Sequence, residues 1–194
     1  MSTFKYQRIG LSLAIAALSG CGGTSTGNPQ ISIEYGTYTA RNWIDVLIPS
    51  AYAVTSNIKL CFKRLRFVPD SSGSGGSSGN QEFYPGEVTL FPTGGSIGTT
   101  TVPAGLYKAL EFDFEPNCPG STSGRSVQVS NSNSGSPFTS TSTVTVKFEG
   151  SFQALENGQV LRLAFDNIVA ALDQVTSDAD IKTRLENASV KGSF

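Results

Sequence analysis

Glu111, Asp113 and Glu115 alternate along one short stretch of the chain, and they are the group of side chains best spaced for chemistry. Alternate residues of a strand lie about 6.5–7 Å apart on one face. Carboxylates at that spacing could divide acid and base duties, as in glycoside hydrolysis. They could also ligate Ca²⁺ with help from loop oxygens. The plainer alternative is a solvent-facing row neutralised by cations of a neighbouring strand, and Lys59, Lys63, Arg64 and Arg66 are ready partners. We expect that alternative, with no metal and no cofactor at the row.

Other chemistries are narrowed by what the chain lacks. It contains no histidine, which removes Ser-His-Asp and Cys-His nucleophiles and imidazole-based zinc or non-haem iron sites. There is no phosphate loop, no GxGxxG and no CxxC pair. The formal net charge is −1, and no basic patch with interleaved aromatics marks a nucleic-acid surface. Tyr35, Tyr38 and Trp43 could form a flat platform for a sugar, although such residues more often serve as core or rim.

The elements that must hold these residues read as strands. Ile31–Tyr35 alternates over a short span. In Asn57–Phe67, Ile58, Leu60 and Phe62 share one face at period two, and Leu65 and Phe67 then change parity. One extra residue at Lys63-Arg64 restores the inward face, which is what a β-bulge supplies. Cys61, Arg64 and Arg66 then point away from the core. Glu87–Phe91 is a further strand. Ser71–Asn80 and Thr93–Thr101 are too rich in Gly, Ser and Thr to build a core and read as loops. From Leu106 to Glu115, Leu106, Leu110, Phe112 and Phe114 share a face on which Lys108 is out of place, and Pro116 ends the strand. Asn117–Ser142 reads as polar loop around Val127-Gln128-Val129.

Thr143–Phe165 reads as a hairpin. Asn157-Gly158 is a preferred two-residue turn, and it predicts antiparallel pairing of residues 150–156 with 159–165. Phe152 would oppose Leu163, and Gly150 would leave room for Phe165. A 3.6-residue period follows, with Ile168, Ala171, Leu172 and Val175 on one helical face and Asp166 or Asn167 as cap. Ser177 and Asp180 suggest a capping box for a second helix that buries Ile181 and Leu185. Ser189–Phe194 returns as an edge strand. Many short strands between Gly/Ser-rich turns predict a mainly β chain. The expected architecture is an antiparallel β-sandwich with one or two short C-terminal helices and long Gly/Ser-rich loops.

The N-terminus carries an address. Lys5 and Arg8 precede the uncharged apolar run Ile9–Leu18, and small residues follow. This is the layout of an export signal, and the run is too short to span a bilayer. Leu18-Ser19-Gly20-Cys21 resembles the lipobox of bacterial lipoprotein precursors. The resemblance implies that Cys21 is lipidated and becomes the mature N-terminus. With Gly22 rather than an acid after it, the resemblance implies the outer membrane, on its periplasmic or surface face. Expected boundaries are 1–20 for the signal, 21–30 for a flexible tether and 31–194 for one β-sandwich domain. Ala51-Tyr52-Ala53 looks like a second cleavage site, but the run before it is short and broken by Asp45, so we read it as part of the folded domain.

With Cys21 lipidated, Cys61 and Cys118 remain. In an exported chain they most simply form one disulfide; two unpaired thiols are the alternative. If their strands are antiparallel neighbours and Cys61 faces Cys118, Glu115 opposes Arg64 and Asp113 opposes Arg66. Two segments carry a further resemblance. Thr101–Phe114 (TVPAGLYKALEFDF) and Leu161–Asn167 (LRLAFDN) resemble strands of an uncharacterised β-sandwich domain of bacterial surface and periplasmic lipoproteins. That likeness spans roughly residues 55–170 and implies a fold without assigned catalytic residues. The expectation is a lipid-anchored, non-catalytic envelope module, attached to the membrane through Cys21 and binding a protein or glycan. The competing expectations are a carboxylate-dependent glycan-active enzyme and a calcium-binding adhesion-type module.

Overall fold

The computed structural model describes residues 28–36, 57–70, 80–130, 135–155 and 158–193. Ala51-Tyr52-Ala53, Tyr38, Trp43, Cys21, Asn157 and residues 71–79 lie outside them. Two sheets face each other. The first is ordered β11 (Lys191–Ser193), β10 (Gln159–Ala164), β1 (Gln30–Tyr35) and β5 (Gly95–Thr101). The second is built around β2 (Asn57–Pro69), which is long enough to take four partners. β3 (Gln81–Phe83) and β4 (Gly86–Leu90) keep a single register along it, with Leu65 opposite Phe83 and Phe62 opposite Gly86. β6 (Gly105–Phe114) pairs with its second half and β7 (Val127–Ser130) with its first. β9 (Val144–Ala154) and β8 (Phe138–Ser140) flank β6 and β7. Helices α1 (Asp166–Asp173) and α2 (Asp180–Glu186) follow β10.

The expected β-sandwich with two short helices is present. The core lies between the sheets. Ile58, Leu60, Phe62, Leu65 and Phe67 of β2 meet Ile31, Ile33, Leu161 and Leu163 from the other layer in one buried cluster. Most of its ring pairs pack edge to face, one of the arrangements aromatic quadrupoles prefer; the centroids of Phe62 and Phe114 lie 4.8 Å apart. The parity change in β2 is a bulge at Lys63, where the register shifts between Phe62 and Arg64. Helix α1 starts after Phe165 with no side-chain cap, so neither Asp166 nor Asn167 caps it. Helix α2 starts after Ala179 with no side-chain cap, and Thr176 donates its hydroxyl to Asp180 at 2.8 Å. Ile181 and Leu185 are buried, and β11 is an edge strand paired with β10.

Further sequence expectations are overturned, among them the polar loop read at 117–142, in which Phe138–Ser140 form strand β8 against β7. Residues 95–101 form strand β5, antiparallel to β1, with only Ile97 and its partners to bury. In β6, Tyr107 and not Leu106 turns inward, because the strand bulges at Lys108, between Val68 and Pro69 of β2. The bulge also explains the misplaced lysine, which is exposed. Finally, β9 and β10 are not a hairpin. They belong to different sheets, and β10 runs parallel to β1, with Ile31 opposite Gln159 and Tyr35 opposite Leu163. Phe152 and Leu163 do face the core, but from opposite layers. Gly158 has φ +78° and turns a corner between sheets, its N–H donating to the Gln30 carbonyl.

Candidate functional site

The acidic row lies on the outer face of the β2 sheet, and its neighbours occupy it. Arg64 opposes Asp113 and Arg66 opposes Glu111 on β6; Arg66 also opposes Glu82 on β3. Arg64 donates to Asp113 Oδ2 through Nε (2.8 Å) and Nη2, and to Glu82 Oε1 through Nη1 at 3.0 Å. Arg66 donates to Glu111 Oε2 at 2.9 Å and to Asp113 Oδ2 at 3.3 Å. Thr145, from β9, donates to Asp113 Oδ1 at 2.9 Å. Tyr84 donates to Glu82 Oε2 at 2.7 Å. Charges therefore alternate across four strands: Glu82, Arg66, Glu111 and, opposite Glu111, Lys147.

The electrostatics follow from these contacts. The Tyr84 hydroxyl, aided by Arg64, holds the Glu82 carboxyl below its ordinary value. The same bond pushes the Tyr84 phenol up. Asp113 raises the Arg64 guanidinium further. Asp113 is buried, and both of its oxygens already accept hydrogen bonds. A general base needs a lone pair directed at a substrate proton, and a Ca²⁺ ligand needs an oxygen free to turn to the ion. Here the Asp113 oxygens are turned to two guanidinium groups and the Thr145 hydroxyl. Among the described residues, no group of three or more Cys, Asp or Glu side chains is placed to hold a metal ion.

The expected register is corrected by two residues. Asp113 faces Arg64, not Arg66, and Glu115 lies beyond the strand, where its N–H donates to the Cys61 carbonyl. The physical reason is that Cys118 does not continue the ladder. The chain turns at Pro116-Asn117 and residues 115–126 cross the outer face of β2 as a strap. Cys61 and Cys118 are joined, with Cα atoms 5.5 Å apart. Lys63 donates to the Asn117 carbonyl, and Ser123 donates to Glu87 on β4. The strap explains why Cys61, on an outward face, is buried.

Tyr35 is likewise core and not a sugar platform. It is buried and stacked on Phe165, and its hydroxyl donates to the Thr89 carbonyl and accepts from the Phe91 N–H. A cavity of about 540 Å³ opens beside it, lined in part by Gly36, Gly94 and the pair Glu34–Arg162, which lie 3.7 Å apart. None of Glu111, Asp113 and Glu115 lines it. Glu82 and Tyr84 carry no signal in the sequence because residues 81–83 have no apolar alternation, and Thr145 is one outward residue among several on β9. A cross-strand partner is visible only once strands are paired. Compared with known protein families, curated proteins and solved structures, the chain matches none.

Proposed function

We propose that the chain is a lipid-anchored, non-catalytic envelope protein of the outer membrane, whose β-sandwich binds a protein or glycan of the envelope. The observation that carries this reading is Leu18-Ser19-Gly20-Cys21 placed after two cations and an apolar run. Two acyl signals or more hold a protein stably at a bilayer. The Cys61–Cys118 bond supports the reading independently, since disulfides persist in oxidising compartments. The pairing of Asp113, Glu111 and Glu82 with Arg64 and Arg66 favours binding over carboxylate hydrolysis or calcium capture. Metabolic labelling with a palmitate analogue tests it. Label should enter the parent chain and be lost in Cys21→Ala; label retained by that variant overturns the anchor.

A further inference from the structure

We infer that the pole of the sandwich carrying Leu106 and Leu155 rests against the bilayer; this builds on the lipid-anchor reading and adds an orientation to it. The two leucines are 38% and 57% exposed. They lie together, since Gly105 opposes Ala154 and Leu106 opposes Gln153, which puts Leu155 on the diagonal from Leu106. The bulge at Lys108 is what turns Leu106 outward.

This pole is also where β1 begins. The Pro29 carbonyl accepts from the Val102 N–H, and the Gln30 carbonyl accepts from Gly158, both at 3.1 Å. Val102 and Gly158 therefore flank the point where the chain arrives from Cys21, with Leu106 and Leu155 close by along the chain. Fully extended, the stretch from Cys21 to Asn28 reaches about 25 Å at most. A lipid in the membrane thus keeps the start of β1 within that distance of the headgroups. Ala104 and Lys108 are exposed beside the leucines. A lysine there can lay its stem on apolar surface and put its amine among phosphates. The loop is held in place by the Tyr107 hydroxyl, which donates to the Pro103 carbonyl at 2.6 Å. Phe91, also exposed, sits at the opposite pole, where its N–H meets Tyr35 at the end of β1.

The full lipidated chain in vesicles of phosphatidylcholine with brominated acyl chains tests the orientation. Bromine quenches an indole that reaches the acyl region. The indole introduced by Leu155→Trp should lose emission, measured against the parent chain, whose single tryptophan is Trp43. The one introduced by Phe91→Trp should not. Leu106→Trp repeats the test should Leu155→Trp fold poorly. Protein that floats with the vesicles while neither leucine-site indole is quenched more than that of Phe91→Trp overturns the orientation and leaves the anchor standing; the leucines then belong to a protein contact. Protein that does not float overturns both.

Discussion

Asp113 accepts hydrogen bonds from Arg64, Arg66 and Thr145, and two guanidinium groups depend on it for compensation. Asp113→Asn should therefore cost about 2 kcal/mol, less than a fully buried pair would because Arg64 and Arg66 are partly solvated. Glu111→Gln should cost under about 1 kcal/mol. Urea unfolding of the two variants checks the order. Glu82 adds a pH dependence. Its folded value lies below the ordinary 4.5, so its contribution is present above pH 4.5 and lost as the pH falls through the lower folded value. Glu82→Gln should flatten the acid limb of a stability profile. Tyr107 acts at the other extreme, because burial pushes its phenol up to about 12 from 10. The unfolded chain ionises first, so stability falls as the pH climbs from 10 towards about 12. Tyr107→Phe should remove part of that fall while costing about 1 kcal/mol at neutral pH through the lost bond to Pro103. At this scale the sequence was readable in kind and unreadable in partner. Strict alternation showed that Arg64, Arg66, Glu111 and Asp113 face outward, but a slip of two residues preserves that alternation, so Arg64 was matched to Glu115 instead of Asp113.

The strap of residues 115–126 fills the fork where β6 leaves β2 and β7 takes over. Its bond spans 57 residues, which in the chain-entropy account stabilises by about 4 kcal/mol. The double change Cys61→Ser with Cys118→Ser should lower the urea midpoint accordingly, and the parent in reductant should approach the same value. The strap also presses on the far side of β2. Gly86 has φ +89°, and a Cβ there would collide with the Pro119 carbonyl. Gly86→Ala should cost about 1–3 kcal/mol and slow pairing of the two cysteines during oxidative refolding. The β2 bulge was legible because a strand can change parity and keep its apolar side chains on one face only by inserting a residue. β5 was not, because an edge strand with one buried residue has the composition of a loop. β9 and β10 were misjoined for a third reason: strands facing one core from opposite layers have the same apolar pattern as strands of one hairpin.

For the molecule as a whole, length, composition and alternation specify the sandwich and its helical end. The layer to which each strand belongs is set by long-range pairing that no local pattern records. Parallel β1 and β10 are the clearest case, since they lie near opposite ends of the chain. Closing so large a loop is entropically costly and slow. It also sets an order of events. A chain that emerges N-terminus first presents β1 early, yet β1 has no parallel partner until Gln159–Ala164 has arrived, and β5 docks on β1 in turn. Until then that layer is only half built, with β1 and β5 lacking β10 and β11, and the apolar faces of β2 and β6 lack Leu161 and Leu163 to close against. The parallel pair is thus a timer: the sandwich closes, and the polypeptide becomes protease-resistant, only when nearly all of it is present. Chains truncated before Gln159 should stay fully digestible in a protease pulse, whereas those extending past Phe165 should begin to resist.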